Sequence, residues 1–204
     1  MHPPLTGNVP LVMRVASQLI AFARLPRPAR LFYLRAVATA IRTRDRWSLR
    51  IAVRPLELGK LVVLAGDGPV AELGTGTGWS ALAFAACGCN VFTCDPLDPP
   101  QRQRYIELLP PEVSRRVEFS GRRGEEGPPG RQRYPLVFVD ASHRRDETVA
   151  MFEAWRPAIA AGGAIAFHDY SPAWPEVVEA TDALSLDGEV FGSLFIWREQ
   201  APRT

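Results

Sequence analysis

Cysteine and histidine are scarce in this sequence, and their scarcity excludes several kinds of structural site. The three cysteines, Cys87, Cys89 and Cys94, lie close together but have no fourth cysteine or histidine beside them. A tetrahedral zinc site needs four such ligands, so these three residues do not form one. Ordinary reduced thiols of a cytoplasmic protein are the better interpretation, because disulfides are rare in that compartment.

A long apolar run is also missing. The longest, residues 9–23, is interrupted by Arg14 and Gln18 and is shorter than a bilayer-spanning helix requires. No cationic stretch precedes this run, as it would in a secretory signal. We therefore expect neither a membrane span nor a membrane partner.

Acidic residues are almost absent from the first quarter of the chain. Residues 1–56 contain ten arginines and a single acid, Asp45. Apolar residues recur at helical spacing in residues 12–24 and 31–44, which predicts two amphipathic helices there. We interpret residues 1–55 as an N-terminal helical cap over the edge of a sheet, or as a homodimer contact. Residues 56–204 would then form the main domain.

Three glycines at alternate positions mark the stretch around which the chain is organised. Gly74, Gly76 and Gly78 follow the short apolar run of residues 69–73, and helix-forming residues 80–86 come next. Strand, glycine turn and helix form the nucleotide-binding element of an open α/β sheet. A dinucleotide fingerprint would need a third glycine where this chain has Trp79, so the pattern disfavours a nicotinamide dinucleotide.

Apolar runs alternate with helical patterns beyond the glycine turn, which predicts an α/β fold with a doubly wound, mostly parallel sheet. Ligands of such sheets bind at the carboxyl ends of the strands. Polar residues that carry useful chemistry follow these predicted strands. They are Glu72, Asp95, Asp140, Ser142, His143, His168 and Asp169.

Three motifs follow one another in a familiar order: residues 72–81, 138–143 and 162–170. Together they resemble the class I S-adenosylmethionine-dependent methyltransferases, and most closely the small O-methyltransferases grouped as family 24. Catechol and caffeoyl-coenzyme A O-methyltransferases are more distantly similar. The resemblance covers about residues 56–171 and implies a Rossmann-like fold with a seven-stranded sheet. It also implies transfer of a methyl group to a hydroxyl oxygen of a small molecule.

The resemblance further implies which residues hold S-adenosylmethionine. Asp95 would accept hydrogen bonds from the ribose hydroxyls, and Asp140 would lie at the edge of the cofactor. The methionine and ribose parts would contact the residues of the glycine turn and its neighbours, namely Glu72, Gly74, Thr75, Gly76, Gly78 and Ser80.

Two ways of activating the acceptor hydroxyl are open. In the catechol-type relatives the position of His143 holds a lysine base, and an Asp-Asn pair that ligates a metal ion occupies the positions of His168 and Asp169. If these two side chains converge with Asp140, the three form a divalent-metal site. Neighbouring strand residues point to opposite faces, so convergence requires the strand to end or twist there. Otherwise His143 or His168 would act as the general base.

Two other functions compete with this hypothesis. The arginines of residues 1–56 are typical of a nucleic-acid surface, which would suit an RNA methyltransferase. The Asn/Asp-Pro-Pro-Tyr motif of enzymes that methylate base nitrogens is absent, however, and Asp140 to His143 stands in its place. A non-catalytic relative that only binds the cofactor is the other alternative, and the presence of His143, His168 and Asp169 argues against it.

Overall fold

The computed structural model describes residues 11–199, which contain seven strands, nine helices and two short 3-10 turns. The strands are β1 (Val70–Leu73), β2 (Val91–Cys94), β3 (Val117–Ser120), β4 (Tyr134–Val139), β5 (Ile159–Phe167), β6 (Gly188–Phe191) and β7 (Leu194–Arg198). The helices are α1 (Leu11–Arg24), α2 (Arg27–Thr43), α3 (Arg46–Ile51), α4 (Pro55–Ala65), α5 (Trp79–Ala86), α6 (Gln101–Ile106), α7 (Pro111–Ser114), α8 (Arg145–Trp155) and α9 (Pro175–Ala183).

The strands form one sheet in the order β3-β2-β1-β4-β5-β7-β6. The first five strands are parallel, and β7 runs antiparallel to both of its neighbours. The predicted doubly wound, mostly parallel, seven-stranded sheet is thereby confirmed. The sequence pattern does not predict β6, α3 or α7, because each has only four to six residues and so shows too little periodicity.

The parallel register brings the ends of the central strands level with one another. Leu73 of β1 pairs with Cys94 of β2 and with Val139 of β4, and Val139 in turn pairs with Phe167 of β5. The residue that follows each of these strand ends therefore emerges at the same edge of the sheet. The sheet order also reverses between β1 and β4, where ligands of open α/β sheets bind.

Each face of the sheet packs against its own set of helices. One core joins α2, α4 and α5 to alternate strand residues, and the other joins α8 and α9 to the intervening ones. Helix α4 lies over β4 and β5, helix α5 lies over β2 and β3, and α1 and α2 pack on the outside of α4 and α5. The predicted cap is therefore mostly an outer layer on one face, and only α3 and the segment leading into α4 reach the edge of the sheet. The domain boundary predicted at residue 55 stays a prediction.

The faces of α1 and α2 that the sequence predicts to be apolar point outward, although α2 also buries Phe32 and Ala36 in the core. Val12 of α1 is 78% exposed, whereas Gln18 faces inward and accepts a hydrogen bond from the Leu56 backbone N–H at 3.1 Å. None of the described helices is long and apolar enough to cross a bilayer. The exposed large side chains of this surface are Val12, Met13, Val15, Leu19 and Ile20 on α1, and Leu31, Leu34 and Ile41 on α2.

Asp45, the only acid of the N-terminal segment, fixes α3 in place. Its carboxylate accepts hydrogen bonds from the Ser48 backbone N–H at 3.0 Å, the Ser48 hydroxyl at 2.6 Å and the Tyr105 hydroxyl of α6 at 2.7 Å. Burial acts to raise the pKa of Asp45, but the hydrogen bonds from Ser48 and Tyr105 hold it below its ordinary value. Helix α3 is thus capped at its N-terminus and tied to α6 by one carboxylate.

Asp45→Ala should lower the free energy of unfolding by about 2–4 kcal/mol at pH 7, because it leaves several buried donors without an acceptor. Because the folded pKa of Asp45 is depressed, its contribution is fully present above the unfolded pKa of about 3.9 and is lost as the pH falls through the folded value. Urea unfolding of both proteins at several pH values measures the difference. Asp187→Ala, at an exposed acid, is the control, and an equal effect of the two substitutions would contradict the assignment.

Candidate functional site

The glycine turn lies between the end of β1 and the start of α5. Gly74, Gly76 and Gly78 all have positive φ angles, of 99°, 49° and 82°. A β-carbon on Gly74 would lie 2.2 Å from the Asp140 carbonyl oxygen. Glycine is therefore required at position 74 both by the left-handed backbone and by its close approach to the end of β4.

Two side chains hold this turn in shape. The buried guanidinium group of Arg102 donates to the Gly76 carbonyl at 2.9 and 3.1 Å and to the Leu97 carbonyl at 2.7 Å. The Asp95 carboxylate, at the end of β2, accepts from the Gly76 N–H at 2.9 Å and from the Leu97 N–H at 2.8 Å. Each Asp95 oxygen retains a further lone pair for a ligand hydroxyl.

Glu72 lies behind the turn instead of beside the open cleft. It is fully buried, and its carboxylate accepts a 2.6 Å hydrogen bond from Thr93, whose hydroxyl also lies 2.7 Å from that of Thr75. Burial, reinforced by the negative charge of Asp140, raises the pKa of Glu72 to about 8, although the hydrogen bond from Thr93 opposes this shift. The predicted direct contact of Glu72 with the cofactor stays a prediction.

A histidine held between carboxylates occupies the end of β5. The Nδ1 atom of His168 lies 2.8 Å from Asp140 Oδ1, and its Nε2 atom lies 3.6 Å from Glu57 Oε2. Burial acts to lower the pKa of His168, but the negative charges of Asp140, Glu57 and Asp169 raise it to about 11. The neighbouring carboxylates therefore favour the doubly protonated imidazole, a form that has no lone pair with which to accept a proton.

His143 forms a second imidazole–carboxylate pair at the same edge. Its Nε2 atom lies 2.8 Å from Asp169 Oδ2, and its ring stacks on Trp174 with 3.9 Å between the ring centroids. Asp169 has a φ of +56°, a left-handed conformation that few residue types other than glycine adopt. Burial acts to raise the pKa of Asp169, but the hydrogen bond with His143 and the charge of His168 lower it.

The three predicted metal ligands converge because the backbone turns at Asp169. Strand β5 ends at Phe167, and the left-handed backbone at Asp169 brings its side chain to the same side as His168. One ligand atom from each of Asp140, His168 and Asp169 lies within 4.8 Å of the others. For His168 and Asp169 to share a site, β5 had to end or twist near them. It does end there, at Phe167.

These residues line a cleft of about 530 Å³, a volume in the usual range for small-molecule sites. The opposite wall is formed by α3 and the segment leading into α4, including Trp47, Arg50 and Arg54. Trp174 and Ser193 also line the cleft, and no sequence pattern had indicated Ser193. Those of the predicted site residues that line it are Gly74, Thr75, Gly76, Gly78, Ser80, Asp95, Asp140, His143, His168 and Asp169.

Several solved methyltransferases share this fold. The 1,6-didemethyltoxoflavin-N1-methyltransferase of Burkholderia thailandensis is 16% identical over 97% of this chain and 94% of that protein, with a TM-score of 0.58. An S-adenosylmethionine-dependent O-methyltransferase of Thermotoga maritima is 14% identical over 75% and 68%, with a TM-score of 0.52. CcbJ of Streptomyces caelestis is 25% identical over 55% and 50%, with a TM-score of 0.48, so this chain spans only half of its length.

No curated protein matches the chain. A family of protein domains, in contrast, does match it. Residues 71–170, which contain the glycine turn and the ends of β2, β4 and β5, match the family described as "Methyltransferase domain". This match and the strand order together support assignment of the chain to the class I S-adenosylmethionine-dependent methyltransferases.

Proposed function

We propose that the protein transfers a methyl group from S-adenosylmethionine to a hydroxyl oxygen of a small molecule. The observation that carries this proposal is the His143–Asp169 pair beside a cleft that also contains the glycine turn. A hydroxyl acceptor must lose its proton to become a good nucleophile, whereas a neutral amine already has a free lone pair. A histidine oriented by a carboxylate therefore supports an oxygen acceptor more than a nitrogen acceptor.

The cleft has the features that the cofactor requires. The glycine turn lets a ligand approach the backbone closely, and the Asp95 carboxylate lies directly beside it, bonded to the Gly76 N–H. Once bound, S-adenosylmethionine supplies an activated methyl group, so the protein has chiefly to align the acceptor and exclude water. We assign the ribose hydroxyls to Asp95, and the remaining predicted contacts to Glu72, residues 74–80 and Asp140.

His143 is the better of the two candidate bases. When Asp169 accepts a hydrogen bond from the Nε2–H group, the Nδ1 atom of His143 keeps its lone pair and can accept a proton from the acceptor. Stacking on Trp174 fixes the plane of the ring. His168 cannot take this role in its doubly protonated form, and we propose that it holds Asp140 in place.

A divalent cation also fits the end of β5. Asp140, His168 and Asp169 offer one nitrogen and two carboxylate ligands in close proximity. Such an ion would lower the pKa of a hydroxyl bound to it. His168 would have to lose a proton to ligate it, so binding would weaken at low pH.

The proposed activity is tested by incubating the protein with labelled S-adenosylmethionine and a panel of phenols, catechols, sugars and amines. Mass spectrometry then shows which acceptor is methylated, and fragmentation shows on which atom. Methyl ethers are the expected products. Products methylated only on nitrogen would reject the oxygen proposal and retain the methyltransferase.

Asp95→Ala should weaken the binding of S-adenosylmethionine and S-adenosylhomocysteine by about ten- to a hundredfold, because charge-assisted hydrogen bonds to the ribose are lost. Isothermal titration calorimetry measures both affinities. Asp98→Ala is a matched control in the same loop, since the Asp98 side chain is 88% exposed and Arg102 keeps its hydrogen bonds to Gly76 and Leu97 without it. Unchanged affinity in the Asp95 variant, or tighter binding of NAD by the parent protein, would reject the assignment.

His143→Ala should lower kcat by about a hundredfold or more, because it removes the general base. Its affinity for S-adenosylhomocysteine should stay within about threefold of the parent, since the cofactor contacts remain. Steady-state kinetics with the acceptor found in the panel give the first value, and calorimetry gives the second. A variant that retains the parental kcat would exclude His143 as the base.

The same assay after exhaustive chelation decides whether a metal ion takes part. We expect turnover to fall and to recover better with Mn²⁺ or Co²⁺ than with Mg²⁺, because one of the ligands is an imidazole. Full turnover by the chelated protein would remove the metal from the proposal and leave His143 as the activating group.

The partner proposed besides the acceptor is a second copy of the chain. The outward faces of α1 and α2 lie on the same side of the sheet, and monomeric proteins rarely expose an apolar patch larger than a few hundred Å². On α1 the exposed residues Val12, Ala16, Leu19 and Ala23 have the alternating spacing of a helix–helix seam. A second copy brings the same seam and can bury it in a two-fold interface.

Leu19→Glu should therefore convert a dimer into a monomer without lowering the free energy of unfolding of the subunit, since Leu19 is exposed within it. Light scattering coupled to size-exclusion chromatography measures the mass. Val190→Glu, at an exposed position on β6, is the control. A monomeric parent would contradict the proposal, and tight, salt-sensitive RNA binding by the parent would favour the nucleic-acid alternative.

A further inference from the structure

Glu57 is a buried carboxylate that the proposed chemistry does not use. It lies in the first turn of α4 and is 2% exposed, although burial of a charged group is costly unless the group is paired. Burial acts to raise the pKa of Glu57, but the neighbouring His168 and the hydrogen bonds from Ser193 lower it to about 2. The two oxygen atoms of Glu57 face two different parts of the site.

The first oxygen holds the turn between β6 and β7. Oε1 accepts from the Ser193 N–H at 2.8 Å and from the Ser193 hydroxyl at 2.7 Å. A β-carbon on Gly192 would lie 2.7 Å from this oxygen, so the turn is closely fitted to Glu57. The Ser193 carbonyl in turn accepts from the Tyr170 N–H at 2.9 Å. This chain of contacts ends next to Asp169, whose left-handed backbone needs support from its surroundings.

The second oxygen faces the imidazole of His168. Oε2 lies 3.6 Å from His168 Nε2 and, among residues 11–199, has no hydrogen-bond partner. The other ring nitrogen is bonded to Asp140. The ring therefore lies between two carboxylates, and rotation about its side-chain bonds would separate it from both.

We propose that Glu57 is a positioning residue of the methyl-transfer site, which holds Asp140 through His168 and Asp169 through the Ser193 turn. The inference rests on the proposed function, because Asp140 and Asp169 act in it. Glu57 itself is not among the residues that line the cleft. It couples the N-terminal helical segment to the two strand ends that carry the reactive groups.

A second contact joins α4 to the β6–β7 hairpin. It allows the positioning role of Glu57 to be distinguished from simple attachment of α4 to the hairpin. Lys60, one turn further along α4, forms a 2.8 Å ion pair with Glu189 of β6. This link joins α4 to the β6–β7 hairpin at the surface, away from His168 and Ser193. Removing it tests the loss of attachment alone.

The experiment compares Glu57→Gln with Glu189→Gln in the full chain. Glutamine keeps the shape of Glu57 and can still accept from Ser193, but it cannot pair with His168 as an anion. Calorimetry with S-adenosylhomocysteine, kcat and KM with the acceptor, and ¹H–¹⁵N spectra of the imidazole groups are recorded for each. We expect Glu57→Gln to lower kcat about tenfold or more and to move the His168 imidazole signals. The affinity for S-adenosylhomocysteine should stay within about threefold, and Glu189→Gln should resemble the parent in every measurement.

Thermal unfolding shows whether each variant is folded, and Glu57→Asp provides a second test in which restored charge should recover part of kcat. Parental kcat and unchanged imidazole signals in folded Glu57→Gln would overturn the inference. An equal loss of kcat in Glu189→Gln would overturn it as well, since attachment alone would then suffice. If the parent fails to bind S-adenosylhomocysteine, the proposed function fails, whereas the imidazole spectra still decide whether Glu57 positions His168.

Discussion

The parallel register of β1, β2, β4 and β5 is the constraint on which the site depends. Because Leu73, Cys94, Val139 and Phe167 are paired side by side, the residues that follow them must emerge together. Residues that lie almost a hundred positions apart in the chain therefore meet at this edge through strand pairing alone. A shift of one residue in any of these pairings would turn the side chains to the other face of the sheet.

The His168 imidazole is the centre of the electrostatic interactions at this edge. Asp140, Asp169 and Glu57 surround His168, and their combined charge outweighs the cost of burying an imidazolium. The same carboxylates leave the edge with excess negative charge, which suits a positively charged sulfonium or a metal ion. His143 lies on the outside of this group, hydrogen-bonded to Asp169, and both imidazoles line the cleft.

Sequence reasoning predicted the parts of the molecule that local patterns determine. The mostly parallel sheet, the glycine turn and the polar residues at the strand ends were predicted from short apolar runs and from the breaks after them. The places of Glu57 and Ser193 in the site, and the outward faces of α1 and α2, depend on packing between distant segments, which local periodicity does not reveal. Glu57 did leave a weak signal, since it stands among leucines in α4, where Leu58 and Leu61 are buried. The direction in which an amphipathic face points cannot be read from the helix itself when a second layer of helices lies beneath it.

The scarcity of lysine has a practical consequence at the junction of α4 and the hairpin. Lys60 is the only lysine of the chain, and its ammonium group lies 5.2 Å from the centre of the Phe191 ring as well as against Glu189. Amine-directed chemistry therefore has a single side-chain target, one helical turn from Glu57. A fluorophore coupled there would report the separation of the hairpin from the helix in solution, with no need to engineer a labelling position.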